Sequence, residues 1–235
     1  MSLVPAPLPP VLFITGTDTE IGKTMSSAAL ARACTVAGTS VAVYKPTQAG
    51  LEDGQGDIDV VGRLAGLNSL HEGIRLRYPM APVAAAAREG VSLPTADQQL
   101  DRITALAAGH DLTLVEGAGG LLVALDQQGH TLADFASRAA ARTSFPEFAF
   151  VVVCRSALGT LNHTALTLEA LRHRGLPVAG LIVGSWPVEP GPIELSNRTE
   201  LAAMAPLLGT IPAGSGRLTP AAFQADAPAW IDLPG

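Results

Sequence analysis

The chain has 235 residues, enough for one α/β domain with a substantial core. Apolar residues make up 48% and charged residues only 15%, so much of the chain must be buried, and a subunit interface would account for part of the low charge. The net charge of −6 argues against nucleic acid or an anionic membrane as the main partner, and no apolar run approaches the roughly 18 residues of a membrane span.

Residues 1–10 carry no basic segment and no cleavage site, so no signal peptide is expected. Cys34 and Cys154 read as small core residues, and the five histidines lack metal-ligand spacing. A reduced, cytoplasmic protein without structural metal is the expectation.

An apolar run predicts a first strand over 11–14, and helical spacing begins at Met25 and runs to 37. Between them stands Gly16-Thr17-Asp18-Thr19-Glu20-Ile21-Gly22-Lys23-Thr24, the strand–loop–helix layout of a phosphate-binding P-loop. A helix start has unpaired N–H groups and the positive end of the macrodipole, so it attracts phosphate. Gly22 lets the backbone approach the anion, Lys23 supplies charge, and the Thr24 hydroxyl suits a Mg²⁺ ligand. The strict pattern has one residue fewer between Gly16 and Gly22, and a glycine-rich turn with a solvated lysine shares the outline.

Gly38 reads as a helix cap, and a second strand over 41–44 is expected to stop at Lys45-Pro46. A polar loop over 48–56 leads to a short helical pattern over 57–64, where Asp57 and Asp59 could be ordinary helix-start charge. The pattern weakens over 72–93, with a proline-punctuated loop at 78–82 and a short helix at 83–88. An amphipathic helix is predicted over 95–108 and a third strand over 112–115.

Glu116-Gly117-Ala118-Gly119-Gly120 follows that strand at once. The glycines allow close backbone approach and the carboxylate could bind Mg²⁺ at a γ-phosphate; a tight turn with a solvated glutamate is the alternative. A helix over 131–142 precedes a fourth strand over 148–154, apolar throughout as when both faces are covered. It leads through Gly159, Thr160, Leu161, Asn162 and His163 into a helix reaching 174, capped by Gly175. That turn is either a second anion site or a plain N-cap with a packed histidine.

A fifth strand over 178–183 leads to Gly184-Ser185 and a proline-rich loop. A helix over 193–204, a sixth strand over 207–211 ending at Pro212-Ala213-Gly214, and a Pro/Ala-rich tail with room for a short helix complete the chain. The pattern predicts a single domain over 1–235, α/β, a doubly wound, mainly parallel sheet with helices on both faces, P-loop NTPase-like. Lys23, Lys45, Glu116 and the Gly159 turn would line one crevice at the strands' C-terminal ends.

Four stretches together resemble the dethiobiotin synthetase family: 15–24 (TGTDTEIGKT), 44–46 (YKP), 115–120 (VEGAGG) and 158–163 (LGTLNH). The family's P-loop carries the same extra residue, and the similarity runs in order over 11–214. The resemblance implies an ATP- and Mg²⁺-dependent cyclo-ligase acting on 7,8-diaminopelargonic acid and CO₂ through a carbamate and a carbamic–phosphoric anhydride.

It further implies catalytic roles for Lys45, Lys23 and Glu20, and a Mg²⁺ shell of Thr24, Asp57 and Glu116. Nucleotide contacts would come from Glu20, Ile21, Gly22, Lys23, Thr24, Met25, Asp57, Glu116, Gly117, Ala118, Gly119, Gly184, Ser185, Pro212, Ala213 and Gly214. Substrate contacts would come from Thr19, Lys45, Thr47 and Ala49. A homodimer partner would hold the substrate carboxylate on its own Gly159, Thr160, Leu161 and Asn162.

Two departures stand out. Ala49 replaces a usual Ser or Thr, with Thr47 as the candidate substitute, and Gly184-Ser185 replaces an adenine-reading Asn, which predicts weak base selectivity. Two other readings fare worse. A cobyrinic-acid-type amidoligase needs a glutamine-hydrolysing domain, and a partition-type ATPase switch has a second lysine early in its P-loop, where 16–21 has none.

Overall fold

The computed structural model describes residues 8–50 and 54–233; the first seven residues of the 1–10 segment, part of the 48–56 loop and the last two residues lie outside it. In chain order come β1 (Val11–Gly16), α1 (Lys23–Val36), β2 (Val41–Ala49), α2 (Asp57–Ala65) and β3 (Leu70–Leu76). Next are α3 (Pro82–Glu89), α4 (Ala96–Ala107), β4 (Leu112–Gly120), α5 (Leu132–Ala140), β5 (Phe148–Cys154) and α6 (Thr160–His173). The chain closes with β6 (Val178–Trp186), α7 (Pro192–Met204), β7 (Leu207–Pro212) and α8 (Pro220–Asp226).

The strands form one seven-stranded sheet in the order β3-β2-β4-β1-β5-β6-β7, with parallel pairing at every junction. Alternation in β1 divides the core between the two faces. Leu12 and Ile14 join the cluster under α1, α2 and α8, with Val43, Leu114 and Phe223. Val11 and Phe13 point the other way, into the cluster with Tyr44, Leu100, Ile103, Phe135 and Phe150. Phe13 stacks on Phe150 with centroids 5.2 Å apart and meets the edge of Phe148 at 5.5 Å. Fully burying one such ring is worth roughly 1.5–3 kcal/mol.

Three expectations need correcting. The sheet has a seventh strand, β3, inside the region where the pattern weakened. It is an edge strand, half-buried along most of its length, and its Glu72 and Arg75 pair with each other at 2.6 Å instead of facing a core. Secondly, β2 does not stop at Pro46 but runs on to Ala49. Its last partner on β4 is Tyr44 with Val115, so Pro46 falls where β2 pairs only with β3. Finally, β4 and β6 are longer than the apolar runs predict: they continue through the glycine-rich stretches, to Gly120 and through Gly184-Ser185 to Trp186. The tail is ordered over its described length: Phe223, Ala227 and Ile231 are buried in the α1-side core, and Ile231 bridges Gly209.

Candidate active site

Beyond Tyr44 and Val115 the strands β2 and β4 part, and the next residue of each is Lys45 and Glu116. The gap opens a cleft of about 730 Å³ at the C-terminal edge of the sheet, where the N-terminus of α1 also arrives. Lys45 and Glu116 lie at its base, 3% and 1% exposed, with Nζ 2.9 Å from Oε1. Lys45 also donates to the Gly117 carbonyl at 3.0 Å and pairs with Asp57 Oδ2, at the start of α2, at 2.6 Å.

Burial alone would push the Lys45 ammonium down, but the Glu116 and Asp57 charges outweigh it and hold its pKa above the ordinary value. Burial would push the Asp57 carboxyl up; the Lys45 charge and hydrogen bond hold it below the ordinary value. Gln48 supports this arrangement, its Oε1 accepting from the Asp57 N–H at 2.8 Å.

The P-loop crosses from β1 to α1. Gly22, at φ 92°, caps the helix in a left-handed conformation that only glycine adopts freely, and Glu20 is the one non-glycine with positive φ among the described residues. A Cβ at Gly22 would strike the Gly184 carbonyl, and one at Gly184 would strike the Ile21 carbonyl, so the P-loop and β6 meet backbone to backbone. Lys23 Nζ donates to the Asp18 carbonyl at 2.9 Å, and Arg155 at the end of β5 holds the Asp18 carboxylate at 2.6 Å. Burial lowers the Lys23 pKa, with the Glu116 charge opposing and the Lys45 charge reinforcing the shift.

Thr24, on the first turn of α1, donates to Glu116 Oε1 at 3.1 Å. Thr24, Asp57 and Glu116 therefore surround one volume as hard oxygen donors, the set suited to Mg²⁺ with retained waters. The Lys45 ammonium already bridges both carboxylates, so these side chains do attract a cation at this point.

Of the residues named from sequence, Thr19, Glu20, Gly22, Lys23, Thr24, Met25, Lys45, Thr47, Ala49, Asp57, Glu116, Ala118 and Gly119 line this cleft. Thr47 Oγ1 is buried and finds no hydrogen-bond partner among the described residues. Ile21 packs into the core, and Gly117 contributes its carbonyl to Lys45. Gly184 abuts the P-loop at Ile21 and Gly22, and the Ala213 N–H donates to the Trp186 carbonyl at 2.7 Å, which sets Pro212-Ala213-Gly214 beside the end of β6; neither these residues nor Gly184-Ser185 line the cleft.

The Gly159 to Asn162 turn does not line the cleft. Gly159 caps α6 at φ 91°, beside Leu158, which is 80% exposed. Sequence reasoning passed over two groups. Ser27 donates to Glu116 Oε2 at 2.6 Å, one turn after Thr24, a spacing that could have flagged it. Buried Gln99 of α4 accepts from the Tyr44 hydroxyl and donates to the Pro46 carbonyl at 3.1 Å, pinning the backbone beside Lys45, and nothing in its sequence context signals this.

A family model described as "AAA domain" matches residues 11–216. A protein of Mycobacterium sp. (strain JLS) named "ATP-dependent dethiobiotin synthetase BioD" is 52% identical, covering 91% of this chain and 92% of its own. Proteins of the same name from Mycobacterium avium (strain 104) and Rhodococcus jostii (strain RHA1) are 51% and 47% identical. They cover 92% and 94% of this chain, and 92% and 94% of their own lengths.

Proposed function

Since this chain belongs to the ATP-dependent dethiobiotin synthetase family, an ATP-dependent ligase of biotin biosynthesis, we propose that the cleft closes the ureido ring of dethiobiotin from 7,8-diaminopelargonic acid and CO₂. The observation that carries the reading is the convergence of Lys23, Lys45, Thr24, Asp57 and Glu116 on one cleft at the parting of β2 and β4.

One amine nitrogen attacks the carbon of CO₂ and loses a proton, giving a carbamate. A carbamate oxygen attacks the γ-phosphorus of ATP, the bond to the β,γ-bridging oxygen breaks, and ADP leaves. The second amine attacks the carbonyl carbon of the mixed anhydride and loses a proton; phosphate departs and the five-membered ring closes.

The protein's work is positioning and charge stabilisation. The N–H groups at the start of α1, Lys23 and the 20–25 backbone would hold the phosphates. Lys45, at the base of the cleft, would stabilise the charge that develops in transfer. Glu20 and Thr19 would meet the diamine. Thr47 shares a strand face with Lys45 and Ala49, and its unpartnered buried hydroxyl supports it as the substrate hydrogen bond that Ala49 does not supply.

Thr24, Asp57 and Glu116 would hold Mg²⁺, which when bound neutralises phosphate charge. Gly184-Ser185 and Pro212-Ala213-Gly214 would border the base. A homodimer would bring Gly159, Thr160, Leu161 and Asn162 of the partner subunit to the substrate carboxylate. The exposed apolar side chains of Leu158 and Leu166, 80% and 57% accessible, support an interface at α6. The free, buried Cys34 and Cys154 suit a cytoplasmic setting.

The test is incubation with ¹³C-bicarbonate, the diamine and Mg-ATP, followed by mass spectrometry. One labelled carbon in a cyclic urea is expected; unlabelled or absent product would overturn the reading.

A further inference from the structure

Glu116 is gripped by two hydroxyls of the same helix. Thr24 and Ser27 are three residues apart on α1, so they stack on one face, and both point at this carboxylate. They take different oxygens: Thr24 donates to Oε1 at 3.1 Å, and Ser27 to Oε2 at 2.6 Å. Lys45 also chooses Oε1, at 2.9 Å. Oε1 is thus shared with the groups of the cleft, whereas Oε2 is committed to a residue with no solvent exposure. A hydroxyl-to-carboxylate bond of this length is of the strong, charge-assisted kind.

We propose that Ser27 is a positioning residue that makes Glu116 a one-oxygen ligand and thereby favours Mg²⁺ over Ca²⁺. This rests on the reading of Glu116 as a cation ligand given above. Mg²⁺ demands near-octahedral geometry and keeps its waters, which suits carboxylates offering one oxygen each. Ca²⁺ takes more oxygens at longer distances and readily uses a carboxylate through both. A Glu116 freed from Ser27 could rotate and offer both oxygens, so its loss should weaken Mg²⁺ more than Ca²⁺.

Ser26 supplies the control: it is the neighbouring residue, fully buried, and its hydroxyl has no partner among the described residues. The experiment measures binding of a non-hydrolysable ATP analogue by calorimetry while Mg²⁺ or Ca²⁺ is titrated, for wild type, Ser27→Ala, Ser27→Cys, Ser26→Ala and Glu116→Gln. Ser27→Ala should raise the half-saturating Mg²⁺ on the order of tenfold, the low end for loss of a group supporting a metal ligand. Its Mg²⁺/Ca²⁺ preference should fall, Ser27→Cys should lie between, and Ser26→Ala should match wild type.

Wild-type cation dependence in Ser27→Ala, with Glu116→Gln impaired, would overturn the role of Ser27 alone. Unchanged cation dependence in Glu116→Gln would remove the cation site and the role of Ser27 with it. Equal impairment in Ser26→Ala and Ser27→Ala would reduce the effect to helix packing and overturn the proposal.

Discussion

Replacing Lys45 with methionine keeps an unbranched side chain one atom shorter and removes its charge. Two carboxylates, Glu116 at 1% and Asp57 at 34% exposure, then face one another without the ammonium that bridges them at 2.9 and 2.6 Å. Removing one member of a buried pair costs about 3–5 kcal/mol, and the accessibility of Asp57 sets the expectation at about 3. For a chain of this size that is roughly 6–12 °C in Tm. Turnover should fall on the order of 10²–10³-fold, as for loss of one transition-state donor.

The pH dependence has a definite sign. In the wild type Asp57 titrates below 3.8, so its contribution is present above that pH and is lost as pH falls through the folded value. In Lys45→Met the strongest opposition to burial is gone, leaving the Thr24 hydrogen bond and the Lys23 charge, and the Asp57 carboxyl should shift upward from its wild-type position. The Tm gap between wild type and variant should therefore narrow as pH falls from 7 towards about 4. Adding Asp57→Asn to the variant should recover part of the lost stability. Thermal melts by circular dichroism from pH 4 to 8, with steady-state turnover at pH 7.5, provide the assay. A Tm within 2 °C of wild type together with near-normal turnover would refute the argument for Lys45.

Gln99→Leu leaves the Tyr44 hydroxyl and the Pro46 carbonyl buried without their partner, so urea denaturation should register about 1–3 kcal/mol of lost stability; an unchanged midpoint would contradict the network. Gly184→Ala should push the P-loop away from β6, raising the KM for ATP and costing roughly 1–3 kcal/mol; normal nucleotide binding would show that the backbone contact is dispensable. With Gly184-Ser185 beside the P-loop and no side-chain amide to read a base edge, other nucleoside triphosphates should compete well with ATP. Strong ATP preference in an equal-concentration competition would sink that expectation.

The central strands were legible because both their faces are covered: Val11 to Ile14 and Phe148 to Cys154 are apolar at nearly every position, which alternation would not require at an edge. By the same logic β3 escaped notice, since Leu-His-Glu-Gly-Ile-Arg-Leu carries its charges on a half-solvated strand. Pro46 misled because a proline is excluded only from a strand paired on both sides, and β2 has already left β4 when it reaches that residue.

The P-loop and the carboxylates could be read from local chemistry, a glycine, a lysine or an acid at a strand end. Their mutual placement could not. Lys45 meets Glu116 because β4 inserts between β2 and β1, and strand order follows from packing of the whole chain. Ser27 and Gln99 were hidden for a further reason: a hydroxyl or amide inside a helix looks like any other until the buried atom it serves is known.

Phosphate release from the purified protein with Mg-ATP, with bicarbonate and 7,8-diaminopelargonic acid supplied separately and together, separates a ligase from a nucleotide switch. Release is expected only with both, one phosphate per cyclic urea formed. Release that proceeds without the diamine would mark a nucleotide switch instead, and would withdraw the roles given to Lys45, Thr47 and the Gly159 turn.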